Sequence, residues 1–145
     1  MGRGSRSGSS GSGTAGIASW SAWSRRDAGP VWKRFYDWPE SYARFVHYLV
    51  ARYGAYNALL SPIHYDYDGY TLPSRDYNEP ANLVVDRWGQ PPFGNLVGTN
   101  SAPSSLVNFG GPDEARWLTF HQIGNWRTHD NYWYLTEIHG ARPAR

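Results

Sequence analysis

Cysteine is absent from all 145 residues, which excludes disulfides and thiolate metal sites but does not identify the compartment. No apolar run approaches the roughly 20 residues a membrane-spanning helix needs, so no membrane partner is implied. The N-terminus also lacks the apolar core of a signal peptide. Charge is sparse, at 18% of residues with a formal net charge of +2. Arg3, Arg6, Arg25, Arg26, Arg142 and Arg145 lie toward the two ends. No basic stripe follows a helix, so the footprint of a nucleic-acid partner is weak and none is implied. No Walker pattern occurs, which disfavours nucleotide binding, and no cofactor is implied.

What the chain has in excess is aromatic side chains, at 17%, including eight Trp and eleven Tyr. Two explanations fit. Buried rings dominate core energetics, and flat rings also stack on sugar faces. Forty per cent hydrophobic residues are enough for one packed domain, or for part of a larger one.

Residues 1–16 are almost wholly Gly, Ser, Arg, Thr and Ala. They cannot bury enough surface to offset their ordering entropy and are expected to be a disordered tail, leaving 17–145 as the domain. Ile17–Trp23 reads as a short strand, Ser24–Pro30 as a polar loop, and Val31–Trp38 as an aromatic stretch without assigned structure. Tyr42, Phe45, Val46, Leu49, Val50 and Tyr53 form one stripe at helical period. Asp37 serves as the expected N-cap, Pro39 sits in the first turn and Gly54 is the stop.

The next run, Ala58–Ile63, is short, apolar and suited to a buried parallel strand. It opens into His64, Asp66 and Asp68, spaced two apart so that extended chain places them on one face. A long polar loop follows to Asn78. A helix over about 79–88 is capped by Asn78 and closed by Gly89. Leu96–Thr99 is a further strand, ending in Asn100 and a Ser/Pro loop. Pro112–Arg116 reads as a helical turn and Trp117–Ile123 as a strand, with Trp117, Thr119, His121 and Ile123 on one face. A last helix spans about Asp130–His139. Alternating strands and helices predict an α/β fold with parallel strands.

Several stretches in order resemble the middle of apiosidase-like glycoside hydrolase domains. These are Arg52-Tyr-Gly-Ala-Tyr-Asn57, Ser61-Pro-Ile-His-Tyr-Asp66, Pro92-Phe-Gly94 and Trp117-Leu-Thr-Phe-His-Gln-Ile-Gly-Asn125. That family was long catalogued as a domain of unknown function and often stands beside a module catalogued as collagen-binding. The resemblance covers about residues 40–140. It implies a (β/α)8 TIM barrel with catalytic carboxylates at the ends of the fourth and seventh strands. Ile17–Trp23, Ala58–Ile63, Leu96–Thr99 and Trp117–Ile123 would be its third to sixth strands. The chain would then be an internal fragment of the enzyme, without the seventh-strand nucleophile and inactive alone.

Many relatives carry Asn-Glu at the end of the fourth strand, where this chain has Ile63-His64. The catalytic candidates are therefore His64, an imidazole able to move protons, and Asp66. Their structural alternatives are a hydrogen-bonded strand-end histidine and a turn-capping aspartate. Asp68, Asn100, His121, Asn125 and Trp126 are the candidates for contact with a carbohydrate substrate. For Asp68 a turn with Gly69 is the simpler role, and for His121 a satisfied core position. Two rival functions remain open. One is metal-dependent hydrolysis using His64, Asp66, Asp68, His121, His129 and Asp130, although no HExxH-type spacing occurs. The other is a non-catalytic carbohydrate-binding module, against which the helix at 39–53 speaks.

Overall fold

The computed structural model describes residues 18–19, 28–65, 72–124 and 132–141. The expected tail at 1–16 and most of the expected strand 17–23 lie outside them. In chain order the elements are β1 (Ala18–Ser19), α1 (Ala28–Phe35), α2 (Glu40–Tyr53) and β2 (Ala58–Tyr65). A 3-10 turn at Ser74–Tyr77, α3 (Asn78–Trp88), β3 (Val97–Ser101), α4 (Ser105–Phe109) and α5 (Tyr132–Gly140) follow. The strands are parallel, in the order β1-β2-β3. The fold is α/β, as the alternation predicts.

α2 buries Tyr42 and Val46 of the predicted stripe, together with Ala43, against β2 and α3. Its start differs from expectation. Pro39 occupies the N-cap position with no side-chain cap, and Asp37 contributes its carbonyl instead, accepting from Ser41 N–H at 2.7 Å. Its end differs too. Gly54 sits at φ −63°, ψ −22° rather than in the left-handed region. Glycine is favoured there by space, since a Cβ would stand 2.6 Å from the Val50 carbonyl oxygen. α1 occupies a stretch read as loop and unassigned chain. Pro30 falls in its first turn, where a missing N–H costs nothing.

Trp117–Ile123 is not a regular strand. Trp117 and Leu118 are both buried, at 2% and 0% exposure, which breaks the two-residue alternation a strand would show. The segment meets β3 through a mixed pair of bonds. Thr119 N–H donates to Val97 O at 2.9 Å, but the Val97 N–H goes to Thr119 Oγ1 at 2.7 Å. A side-chain hydroxyl has taken a ladder position, and the ladder stops. Ile123 then makes an isolated antiparallel bridge to Ser104. The parallel neighbours of β2 are β1 and β3.

α4 starts at the last serine of the expected Ser/Pro loop, where no helix was expected. Ser104 Oγ accepts from Val107 N–H at 3.1 Å as its N-cap, and Gly110 follows at φ 89°. The core joins α2, β2, α3, β3 and the 109–118 segment, with Phe109 and Trp117 edge-to-face at 5.4 Å. Asn78, expected as a cap, is instead the first residue of α3. Its side chain turns inward to join that core.

Candidate functional site

The carboxyl ends of β2 and β3 form one rim. His64 is in register with Asn100, and Tyr65 with Ser101. The register slips between Leu60 and Ile63, where Pro62 has no N–H to give the ladder. Side chains take up the carbonyls of this irregularity. Tyr42 Oη donates to Pro62 O at 2.9 Å, and both Thr99 Oγ1 (2.6 Å) and Ser61 Oγ (2.9 Å) donate to Ile63 O. Burial, with a smaller contribution from Tyr77, pushes the Tyr42 phenol far above its ordinary range. It therefore stays a donor at every ordinary pH, and the strand end is rigidly held.

The 121–124 segment is fastened to this rim. Gln122 Nε2 donates to Asn100 Oδ1 at 3.1 Å. Ser105 N–H donates to Gln122 O, and Gln122 N–H donates back to Ser105 Oγ, both at 2.8 Å. Gly124 N–H donates to Pro103 O at 2.9 Å. His121 Nδ1 lies 3.1 Å from Ser105 Oγ, while its Nε2 is buried without a hydrogen-bond partner among the described residues. Burial holds the His121 ring below the usual histidine range, so it is neutral at pH 7.

This has a consequence for stability. The folded ring resists a proton that the unfolded chain accepts at ordinary histidine pKa, so the fold is fully stabilised above about pH 6.5. That contribution is lost as pH falls from there through the lowered folded value. The urea midpoint should drop between pH 7.5 and 5.5, and His121→Gln should remove part of that drop. An unchanged pH dependence in the variant would show that His121 is as easily protonated folded as unfolded.

The expected site residues divide into two groups. His64 and Asn100 are placed side by side by strand register, and His121 reaches the same edge through its neighbour Gln122, from a loop rather than the expected strand. Asp66, Asp68, Asn125 and Trp126, like the rival metal candidates His129 and Asp130, lie outside the described residues. Ser105 and Gln122 were not singled out in the sequence. The only signal for Ser105 was the Ser104-Ser105 pair before a short apolar run, a helix-start pattern. No group of three metal-ligating side chains converges among the described residues. No described helix is long and apolar enough to cross a membrane. A depression of about 350 Å³, lined by Tyr56, Phe93 and Asn95 among others, lies at the opposite, N-terminal end of β2 and β3.

These features define a parallel α/β protein with polar residues at its strand carboxyl ends. No family model, curated protein or solved structure matches the chain.

Proposed function

We propose that this chain supplies the fourth- and fifth-strand rim of a glycoside hydrolase built on a (β/α)8 barrel of the apiosidase-like kind, acting on a poly- or oligosaccharide. The observation that supports this is the pairing of His64 with Asn100 at the carboxyl ends of adjacent parallel strands, where such barrels build their sites. Amide and neutral imidazole groups there suit the hydroxyls of an uncharged sugar. In this reading Asp66, two residues beyond His64, protonates the glycosidic oxygen, and His64 shares in moving that proton. Asn100 and His121 hydrogen-bond sugar hydroxyls, with Asp68, Asn125 and Trp126 completing the contacts. A second carboxylate must act with Asp66, about 5 Å away for retention or about 6.5–9.5 Å for inversion.

The test is to titrate the chain with oligosaccharides released from plant cell-wall polysaccharide, by calorimetry, and to assay p-nitrophenyl glycosides alongside. Binding is expected, weakened roughly three- to tenfold by Asn100→Ala, the worth of one hydrogen bond. Any turnover should be abolished by Asp66→Asn. A folded chain that binds nothing in the panel, or binds equally well as Asn100→Ala and His121→Ala, would overturn the proposal.

A further inference from the structure

The pair Ser105–His121 has a definite proton arrangement. Ser105 is fully buried, and its Oγ accepts from Gln122 N–H at 2.8 Å. The hydroxyl has a single hydrogen, and His121 Nδ1 at 3.1 Å is its acceptor. Were Nδ1 protonated instead, Oγ would accept twice and its own hydrogen would need another acceptor. Among the described residues no other acceptor bonds it. A buried hydroxyl left without one costs free energy. The neutral ring therefore carries its proton on Nε2, the atom that is buried and without a partner among the described residues.

We propose that Ser105 is a positioning residue: it holds His121 in the Nε2–H tautomer, so that the ring presents a fixed donor to a hydroxyl oxygen of the ligand at this rim. For the identity of the ligand this rests on the carbohydrate reading above. The logic is that of preorganisation. A histidine free to exchange tautomers offers an oxygen acceptor a donor for only part of the time, and ordering it would subtract from affinity. Here the ordering is built in beforehand by a serine that never touches the ligand. Its second bond, from Gln122 N–H, sets the direction of its hydroxyl. Gln122 in turn reaches Asn100, so the two polar groups of the rim are set by one short segment.

The experiment is a long-range proton–nitrogen correlation spectrum of the histidine rings, with His121 assigned through His121→Gln. The wild-type ring is expected as a single Nε2–H form, whose proton and nitrogen shifts move when the cell-wall oligosaccharides are added. Ser105→Ala should give a mixture of tautomers and a three- to tenfold loss of oligosaccharide affinity. His121→Gln, whose amide keeps a donor, should retain more affinity than His121→Ala. An Nδ1–H ring in the wild type, or an unchanged tautomer in Ser105→Ala, would overturn the inference. So would Nε2–H shifts that stay unchanged at saturating oligosaccharide, since the ring would then take no part in holding the ligand. If Ser105→Ala does not fold, the wild-type spectrum alone decides. A fixed Nε2–H form in a chain that binds no sugar would overturn the carbohydrate reading and leave the role of Ser105 standing.

Discussion

Gly124→Ala is expected to destabilise the protein by about 3 kcal/mol or more, the upper end for overpacking. A Cβ at Gly124 would stand 2.5 Å from Ala102 Cα and 2.7 Å from Ser101 O. Both are backbone atoms, so no side chain can swing aside to relieve the contact. The 101–105 and 121–124 segments would have to separate, and three backbone-to-partner bonds cross that gap: Gly124 to Pro103 and the two between Ser105 and Gln122. Thermal unfolding should shift down by roughly 10 °C or more for a domain of this size. The same separation would release His121 from Ser105, so any surviving folded protein should also lose ligand affinity. A change within about 0.5 kcal/mol, the range of ordinary surface substitutions, would show that the close approach of the two segments is not required. Gly98 makes a useful contrast. Its Cβ would meet the Phe120 ring at 2.3 Å, but a ring can move, so Phe120→Ala should rescue Gly98→Ala while no single partner change rescues Gly124→Ala.

Asn78→Ala should cost about 2–4 kcal/mol. The Asn78 side chain is buried, donates through Nδ2 to Phe109 O at 2.7 Å and accepts from Trp117 Nε1 at 2.8 Å. It thereby ties the first turn of α3 to the end of α4 and to the core tryptophan. Truncation strands the indole N–H in an apolar surround, and a buried donor left unpaired costs about 1–3 kcal/mol beyond the bond itself. Trp117→Phe removes that donor while keeping most of the ring packed against Phe109. In a double-mutant cycle by urea unfolding, Asn78→Ala should therefore cost at least about 1 kcal/mol less in the Trp117→Phe background. Additive effects would show that the Asn78–Trp117 bond contributes nothing of its own.

The two residues in that bond are 39 apart in the chain, and this separation marks the limit of what local pattern can say. The stripe from Tyr42 to Tyr53 determined α2, because a repeat near 3.6 has only one regular conformation that gathers it on one face. The short apolar run before His64 likewise determined β2. The parallel α/β class followed from their alternation with α3. Those elements are written in spacings of a few residues, and the chain carries them wherever it folds.

Trp117–Ile123 shows where such spacing fails. Its aromatic and apolar residues suit a strand, yet Thr119 Oγ1 takes the Val97 N–H that a ladder needs. Ile123 turns to face Ser104 instead. Nothing within seven residues distinguishes a threonine that lines a sheet from one that ends it, because the competing donor comes from β3. Asn78 is the same case in reverse. As a residue type it reads as a helix cap, but the buried indole of Trp117 and the Phe109 carbonyl offered its amide better partners than the helix end did.

The rim was legible in part. His64 and Asn100 lie at the ends of runs that the sequence marks as strands, so their presence at carboxyl ends was readable. Their pairing depended on a register slip at Pro62. The tautomer of His121 depended on Ser105, sixteen residues before it, whose hydroxyl is aimed by a backbone N–H from the neighbouring segment. Local spacing determined α2, β2, α3 and β3. Only the tertiary structure decided which polar groups meet, because each buried donor settles on whichever acceptor the packed chain brings within about 3 Å.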